Sequence, residues 1–184
     1  MNPDFPRDLV FIGALFGVAA FVWAGWAQES PPRSVWWRIL LGALSLAGLV
    51  LAALTTPVLI ANWGEPTAID PGSGAFITYI VVFWVELIAC AVLAYFAIRA
   101  RLNDLVSPLV LVVVGIHFFA LAPVLAQPAL FIPAVLLTLV AVVAFAMPAS
   151  DVARSFWCGV VGAPVFLAMG AWAAVVGTAA LGSG

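Results

Sequence analysis

Lysine is absent from this 184-residue chain, and only 8% of the residues are charged, against about 25% in an ordinary soluble domain. Without a lysine amine, no Schiff base to retinal, a sugar or pyridoxal can form, so that covalent chemistry is excluded. Six arginines against eight acidic residues give a net charge of −2. This balance predicts no basic surface and no nucleic-acid partner. Hydrophobic residues make up 66% of the chain, which indicates an integral membrane protein surrounded by membrane lipid.

Long apolar runs occupy most of the sequence. A helix needs about 20 apolar residues to cross the hydrocarbon core, and six runs of about that length are present. None shows the period-two polar alternation of a β-barrel. We therefore predict an all-α fold, a six-helix integral membrane bundle that forms one transmembrane domain over 1–184. The predicted spans are about 9–27, 39–61, 75–98, 106–126, 129–147 and 156–180.

The break between the fourth and fifth spans is uncharged and leaves two alternatives open. Pro123 and Pro128 stand five residues apart, which argues against one continuous helix. Residues 122–128 form either a tight turn or part of a re-entrant segment.

Arginine predicts the orientation. Five of the six arginines fall in the loops after spans one, three and five, whereas Arg7 alone lies at the opposite end. Basic residues concentrate in cytoplasmic loops. We expect both termini to be extracytoplasmic in a multi-pass protein of a bacterial-type cytoplasmic membrane.

Two tryptophans do not fit the usual belt of aromatic residues at the membrane interfaces. Trp84 and Trp172 lie in the body of spans three and six. We expect them to pack in the bundle or to line a pocket.

Small residues at a spacing of four mark packing faces, since they let helix backbones approach closely. Such faces join helices within one chain or between subunits of a homo-oligomer, and the sequence leaves both open. The pairs are Gly13 and Gly17, Ala43 and Ala47, Gly170 and Ala174, and Ala173 and Gly177.

Glu86 is the one charge inside a predicted span. A carboxylate at the centre of a helix costs about 2.5–3.5 kcal/mol on insertion scales, so it needs a partner. The sole histidine, His117, lies in the next span. Spans joined by a short loop tend to pack antiparallel, which places the two side chains at similar depth. The carboxylate could there hold the imidazole or share a proton with it.

Further polar side chains fall in the extracytoplasmic half of the predicted bundle, at about the depth of Glu86 and His117. Together with that pair, they predict a ligand-binding site or proton relay. The alternative is a buried hydrogen-bonded cluster that only joins helices, and a threonine in such a helix often bonds its own preceding turn. The further candidates are Thr55, Thr56, Tyr79 and Thr138.

The segment around His117 reads Gly115-Ile116-His117-Phe118-Phe119-Ala120-Leu121-Ala122. It resembles the Gly-x-His-Phe-x-x-Leu-Ala element of uncharacterised small six-span bacterial membrane proteins. The resemblance implies six spans and draws attention to His117, and it implies no activity.

Enzyme signatures are missing: there is no HExxH, GxSxG or phosphate-loop pattern. We expect no catalysis, no metal and no cofactor. The preferred function is non-enzymatic binding of a small amphiphile or lipid in an outer-half intramembrane pocket. The alternatives are a small proton-linked transporter using Glu86 and His117, and an accessory or scaffold subunit of a membrane complex.

Overall fold

Six long helices form the structure, a computed structural model that describes residues 1–148 and 150–182. Over these residues there is no strand, and the prediction of an all-helical six-helix bundle is confirmed. Short 3-10 turns at Asn103–Leu105 and Pro128–Leu130 precede the fourth and fifth helices; counting these turns, all six are long and apolar enough to cross a membrane. The helices are α1 (Pro6–Trp26), α2 (Val35–Ala61), α3 (Gly74–Arg99), α4 (Val106–Val124), α5 (Phe131–Ala146) and α6 (Arg154–Leu181).

The helix boundaries differ from the predicted spans by at most four residues, the largest difference being Val35 against 39 at the start of α2. Trp36, Trp37 and Arg38 belong to the first turn of that helix, because a polar or charged side chain at a helix terminus reaches out of the apolar layer without interrupting the backbone. α1 begins earlier than predicted at Pro6, since proline's fixed φ suits the first helical position.

Successive helices alternate in direction, which gives the bundle two distinct ends. The terminal end contains the start of α1 and the end of α6, and there Arg7 donates to the carbonyl of Trp63 in the α2–α3 loop. The opposite, arginine-rich end contains the other five arginines, which lie in the loops or at the adjoining helix ends. At that end Ser155 donates to Glu29 across 2.8 Å, which joins the α1–α2 loop to the start of α6.

α1 packs most extensively against α6 and α2, and glycines make this close packing possible. A Cβ on Gly17 would lie 2.7 Å from the carbonyl oxygen of Gly48 in α2, closer than real side chains approach. A Cβ on Gly13 would lie 3.0 Å from that of Ala174 in α6. Two predicted packing faces are therefore occupied inside the chain.

The other predicted packing pairs divide between α6 and α2. Ala173 and Gly177 of α6 are buried, and a Cβ on Gly177 would lie 2.9 Å from that of Leu9. In α2, Ala43 is exposed and Ala47 half-buried. A homo-oligomer stays a prediction, and it would need surfaces other than the buried glycine faces.

The α4–α5 connection is a turn, and a re-entrant segment at 122–128 is not formed. α4 ends at Val124 and the 3-10 turn begins at Pro128. Between them Ala126 has a positive φ of 51°, and the N–H of Gln127 donates to the carbonyl of Ala122 over 2.8 Å. The Gln127 side chain is fully buried and exchanges two hydrogen bonds with the backbone of Asn2. The N-terminal segment is thus fixed over this turn.

α3 lies at the edge of the bundle. Among the described residues, α4 is the only other long helix against which it packs extensively, and Ala97 is its only buried residue. The expectation that Trp84 and Trp172 pack inside the bundle is wrong, since they are 53% and 44% exposed, and neither lines any of the three spaces described below. Both indole rings project from the outer surface of the bundle and not into its interior.

Candidate functional site

The structure brings Glu86 and His117 together. Glu86 Oε1 lies 3.2 Å from His117 Nδ1, and their side chains are 22% and 12% exposed. This contact joins the middle of α3 to α4, as the antiparallel packing of neighbouring helices predicts. Nδ1 is buried and makes no aligned hydrogen bond to Glu86, and the imidazole is also within hydrogen-bonding reach of the backbone of Val114, one turn earlier in α4.

Close packing of α4 on α5 fixes the position of the imidazole. Gly115, two residues before His117, lies against Thr138 of α5, and a Cβ there would be 2.7 Å from the Thr138 backbone nitrogen. Because Gly115 faces α5, the ring of His117 projects toward α3 on another side of the same helix.

A partly enclosed cavity of about 60 Å³ adjoins the pair; we call it the inner cavity. It lies between α1, α3 and α4, with Tyr79 and Glu86 contributed by α3 and His117 by α4. Two turns of helix separate Tyr79 from Glu86, so both face the same side of α3. The space suits a few water molecules or a small polar head group.

Three aromatic rings pack together on one side of the inner cavity. Phe16 of α1 makes edge-to-face contacts with Phe118 of α4 and Phe166 of α6, at centroid distances of 5.2 and 5.3 Å. Phe16 and Phe118 also line the cavity. This packing holds α1, α4 and α6 together directly beside the polar pair.

A second space, the lateral groove, adjoins the same pair on the outer surface of the bundle. It measures about 360 Å³ and runs between α3 and α4. Besides Glu86 and His117, it is lined by seven valine, alanine and isoleucine side chains. Val85 and Ile116 on its edges are 60% and 55% exposed, so the groove is open to the surroundings. The polar pair therefore lies between a partly enclosed cavity and a more open apolar groove.

A third space, the vestibule, lies at the terminal end and measures about 230 Å³. It shares Phe11 and Tyr79 with the inner cavity. Arg7 lines it, and the guanidinium carbon of Arg7 stands 4.9 Å from the centre of the Trp63 ring. The two spaces are neighbours, with aromatic side chains at their junction.

The threonines predicted for the site lie elsewhere. Thr55 and Thr56 donate to carbonyls of their own helix at 2.8 and 2.7 Å, and Thr56 faces an exposed surface of α2. Thr138 donates to Ala134 of its own helix and packs on Gly115. None of the three lines the inner cavity or the lateral groove, so the structure groups Glu86 and His117 only with Tyr79.

Three contributors were missed from the sequence. Phe11 and Phe16 of α1 line the inner cavity, but nothing in their spacing indicates that α1 approaches α3. Asp8 is 2% exposed and lines the vestibule, and its carboxylate accepts from Thr67 Oγ1 and the N–H of Ala68. A charge placed directly before an apolar run was the available signal for Asp8.

Within 1–148 and 150–182, no group of three or more His, Cys, Asp and Glu side chains is placed to hold a metal ion. Comparisons of the chain with protein-family models, with curated proteins and with solved structures found no match.

Proposed function

We propose that the chain is a six-span integral membrane protein of a bacterial-type cytoplasmic membrane, and that it binds a small amphiphile without catalysing a reaction. Six sufficiently long apolar helices and many exposed large apolar side chains support the membrane setting, because such a surface is unfavourable in water. The arginine-rich end faces the cytoplasm in this proposal, and both termini lie outside.

The Glu86–His117 contact between the inner cavity and the lateral groove carries the functional proposal. A carboxyl group accepts or donates hydrogen bonds according to its protonation, and an imidazole does both. Together they offer complementary partners for a hydroxyl, carbonyl or amide head group. The apolar walls around them suit a hydrocarbon body, as is usual in small-molecule sites.

A purely structural pair would fit these observations less well. Side chains that only join two helices gain most from an aligned hydrogen bond and from close packing on all sides. Here Glu86 and His117 make no aligned hydrogen bond to each other, and both side chains border cavities. Room beside a polar pair that is not closed by its own hydrogen bond favours a ligand.

The test measures retention of an added probe. Protein in lipid nanodiscs is equilibrated with a long-chain alcohol carrying a photoreactive diazirine, irradiated, and analysed by intact mass. We expect labelling of the parent chain to fall about tenfold or more in Glu86→Gln and His117→Phe, since loss of a hydrogen bond to a charged group is worth about 1.5–3 kcal/mol.

Trp84→Phe is the matched control, because this aromatic residue of α3 is 53% exposed and outside both spaces. It should label like the parent chain. Equal labelling of all four proteins, or no labelling of the parent, would refute amphiphile binding at this pair.

Proton-linked transport is the second candidate, and the 3.2 Å separation of Glu86 and His117 favours it, because a proton can pass between groups at that distance. In liposomes, the parent chain would then move protons in response to a pH gradient, and Glu86→Gln would not. A transporter would need a second opening on the other side of the pair. We prefer binding because the Phe16, Phe118 and Phe166 rings pack tightly at that place.

A further inference from the structure

We propose that the ligand is an uncharged amphiphile dissolved in the bilayer, and that it reaches Glu86 and His117 sideways through the lateral groove. This inference rests on the proposed binding function and adds the class of ligand and its route. The head group would contact the polar pair, and the hydrocarbon body would lie in the groove between α3 and α4.

The lining of the lateral groove defines the ligand class. Apart from Glu86 and His117, its walls are valine, alanine and isoleucine. Such walls provide no partner for a charge, and an unpaired charge in apolar surroundings is strongly disfavoured. A ligand with one hydrogen-bonding group and an otherwise apolar body matches this surface.

Side-chain size keeps the groove open next to the polar pair. Ala89 lies one helical turn after Glu86 in α3, and Ala120 lies one turn after His117 in α4. Because the two helices run in opposite directions, the two alanines lie on opposite sides of the polar pair along the groove. Larger side chains at these positions would fill the space between α3 and α4. A volume of about 360 Å³ is within the usual range for a small-molecule site.

The route from the terminal end is narrower. The vestibule and the inner cavity meet at Phe11 and Tyr79, and the inner cavity offers only about 60 Å³. That size admits water or a head group, whereas a hydrocarbon chain would have to displace packed aromatic rings. The open groove requires no such displacement.

The peripheral position of α3 assists lateral entry. In the described part of the chain, α3 packs extensively against α4 alone among the other long helices. A small outward movement of α3 would widen the groove and would disturb few other contacts. The rest of the bundle is held by the glycine-mediated packing of α1 against α2 and α6.

Carbodiimides test the route, since they add to a protonated carboxyl group and leave a stable adduct. The protein in phosphatidylcholine nanodiscs is treated at mildly acidic pH with dicyclohexylcarbodiimide, which dissolves in lipid, or with a charged, water-soluble carbodiimide. Mass spectrometry of the peptide containing Glu86 measures each rate. We expect the lipid-soluble reagent to react about tenfold faster or more, because the apolar groove excludes the charged one.

A blocking variant and a matched control make the test specific. Ala120→Trp fills the groove and should slow the lipid-soluble reagent several-fold. Ala91→Trp places the same ring on an exposed position of α3 outside the groove and should not. Size-exclusion elution and helix content verify that both variants fold, and the comparison of the two reagents on the parent chain stands without them.

A protection experiment tests the ligand class. Hexadecanol incorporated in the nanodisc should protect Glu86 from dicyclohexylcarbodiimide, and hexadecyl sulfate at the same density should protect much less. Faster reaction with the water-soluble reagent, no reaction with either, or equal protection by both amphiphiles would overturn the inference. If the protein retains the diazirine alcohol but Glu86 reacts faster with the water-soluble carbodiimide, only the lateral route is refuted. If the lipid-soluble carbodiimide reacts faster with Glu86 but the diazirine alcohol is not retained, the binding function is refuted.

Discussion

Asp8 illustrates how a buried charge can serve structure alone. Its carboxylate oxygens accept from Thr67 Oγ1 at 2.7 Å and from the N–H of Ala68 at 2.8 Å, and Arg7 Nε lies 3.7 Å away. These contacts fix the α2–α3 loop on the start of α1. Both oxygens of Asp8 have hydrogen-bond partners, whereas Glu86 and His117 make no aligned hydrogen bond to each other and border cavities. That difference separates a structural ionisable group from a candidate binding group.

Thr67→Val should destabilise the fold by about 1.5–3 kcal/mol, because it removes a hydrogen bond to a buried carboxylate. Unfolding in mixed micelles of increasing SDS content measures the change. Thr56→Val is the matched control, since Thr56 is exposed and bonds only its own helix, and it should change stability by much less. Equal effects of the two substitutions would show that the Asp8 contact contributes little.

At the scale of elements, the length of the apolar runs predicts the helices, but the sequence predicts only in part which helices pack against each other. α3 and α4 are consecutive, so the contact between Glu86 and His117 could be predicted. The approach of α1 to α3 at Phe11 and Tyr79 could not, because it depends on how α1, α4 and α6 pack around Phe16. The threonines were grouped by depth, and depth carries no information about the direction of a side chain around its helix.

Gly17→Ala tests the packing of α1 on α2. The added methyl would stand 2.7 Å from backbone atoms of Gly48 and Ala52, and such overpacking costs about 1–3 kcal/mol. Gly25→Ala, also in α1, has its nearest neighbour at 3.9 Å, on Ser45, and it should be neutral or slightly stabilising. The SDS midpoint of each variant measures the difference, and an unchanged midpoint for Gly17→Ala would contradict the close approach.

For the whole molecule, the distribution of arginine predicts an orientation. A Cβ added to Gly64, in the α2–α3 loop, would meet nothing within 4 Å, and Ala100, after α3, is exposed at the arginine-rich end. In spheroplasts, a membrane-impermeant maleimide should label Gly64→Cys directly and Ala100→Cys only after permeabilisation. The parent chain, with Cys90 and Cys158 inside α3 and α6, provides the background. The reverse pattern would invert the proposed topology.

The pairing of α1 with α6 has a consequence for biosynthesis. Of these six helices, the one synthesised first packs most extensively on the one synthesised last, and the intervening segment takes on the order of ten seconds to make at about 5–20 residues per second. During that interval the glycines of α1 that face α6, such as Gly13, have no partner from α6. A chain truncated before Arg154 would leave this surface permanently uncovered, and a membrane protease could therefore distinguish unfinished chains from complete ones.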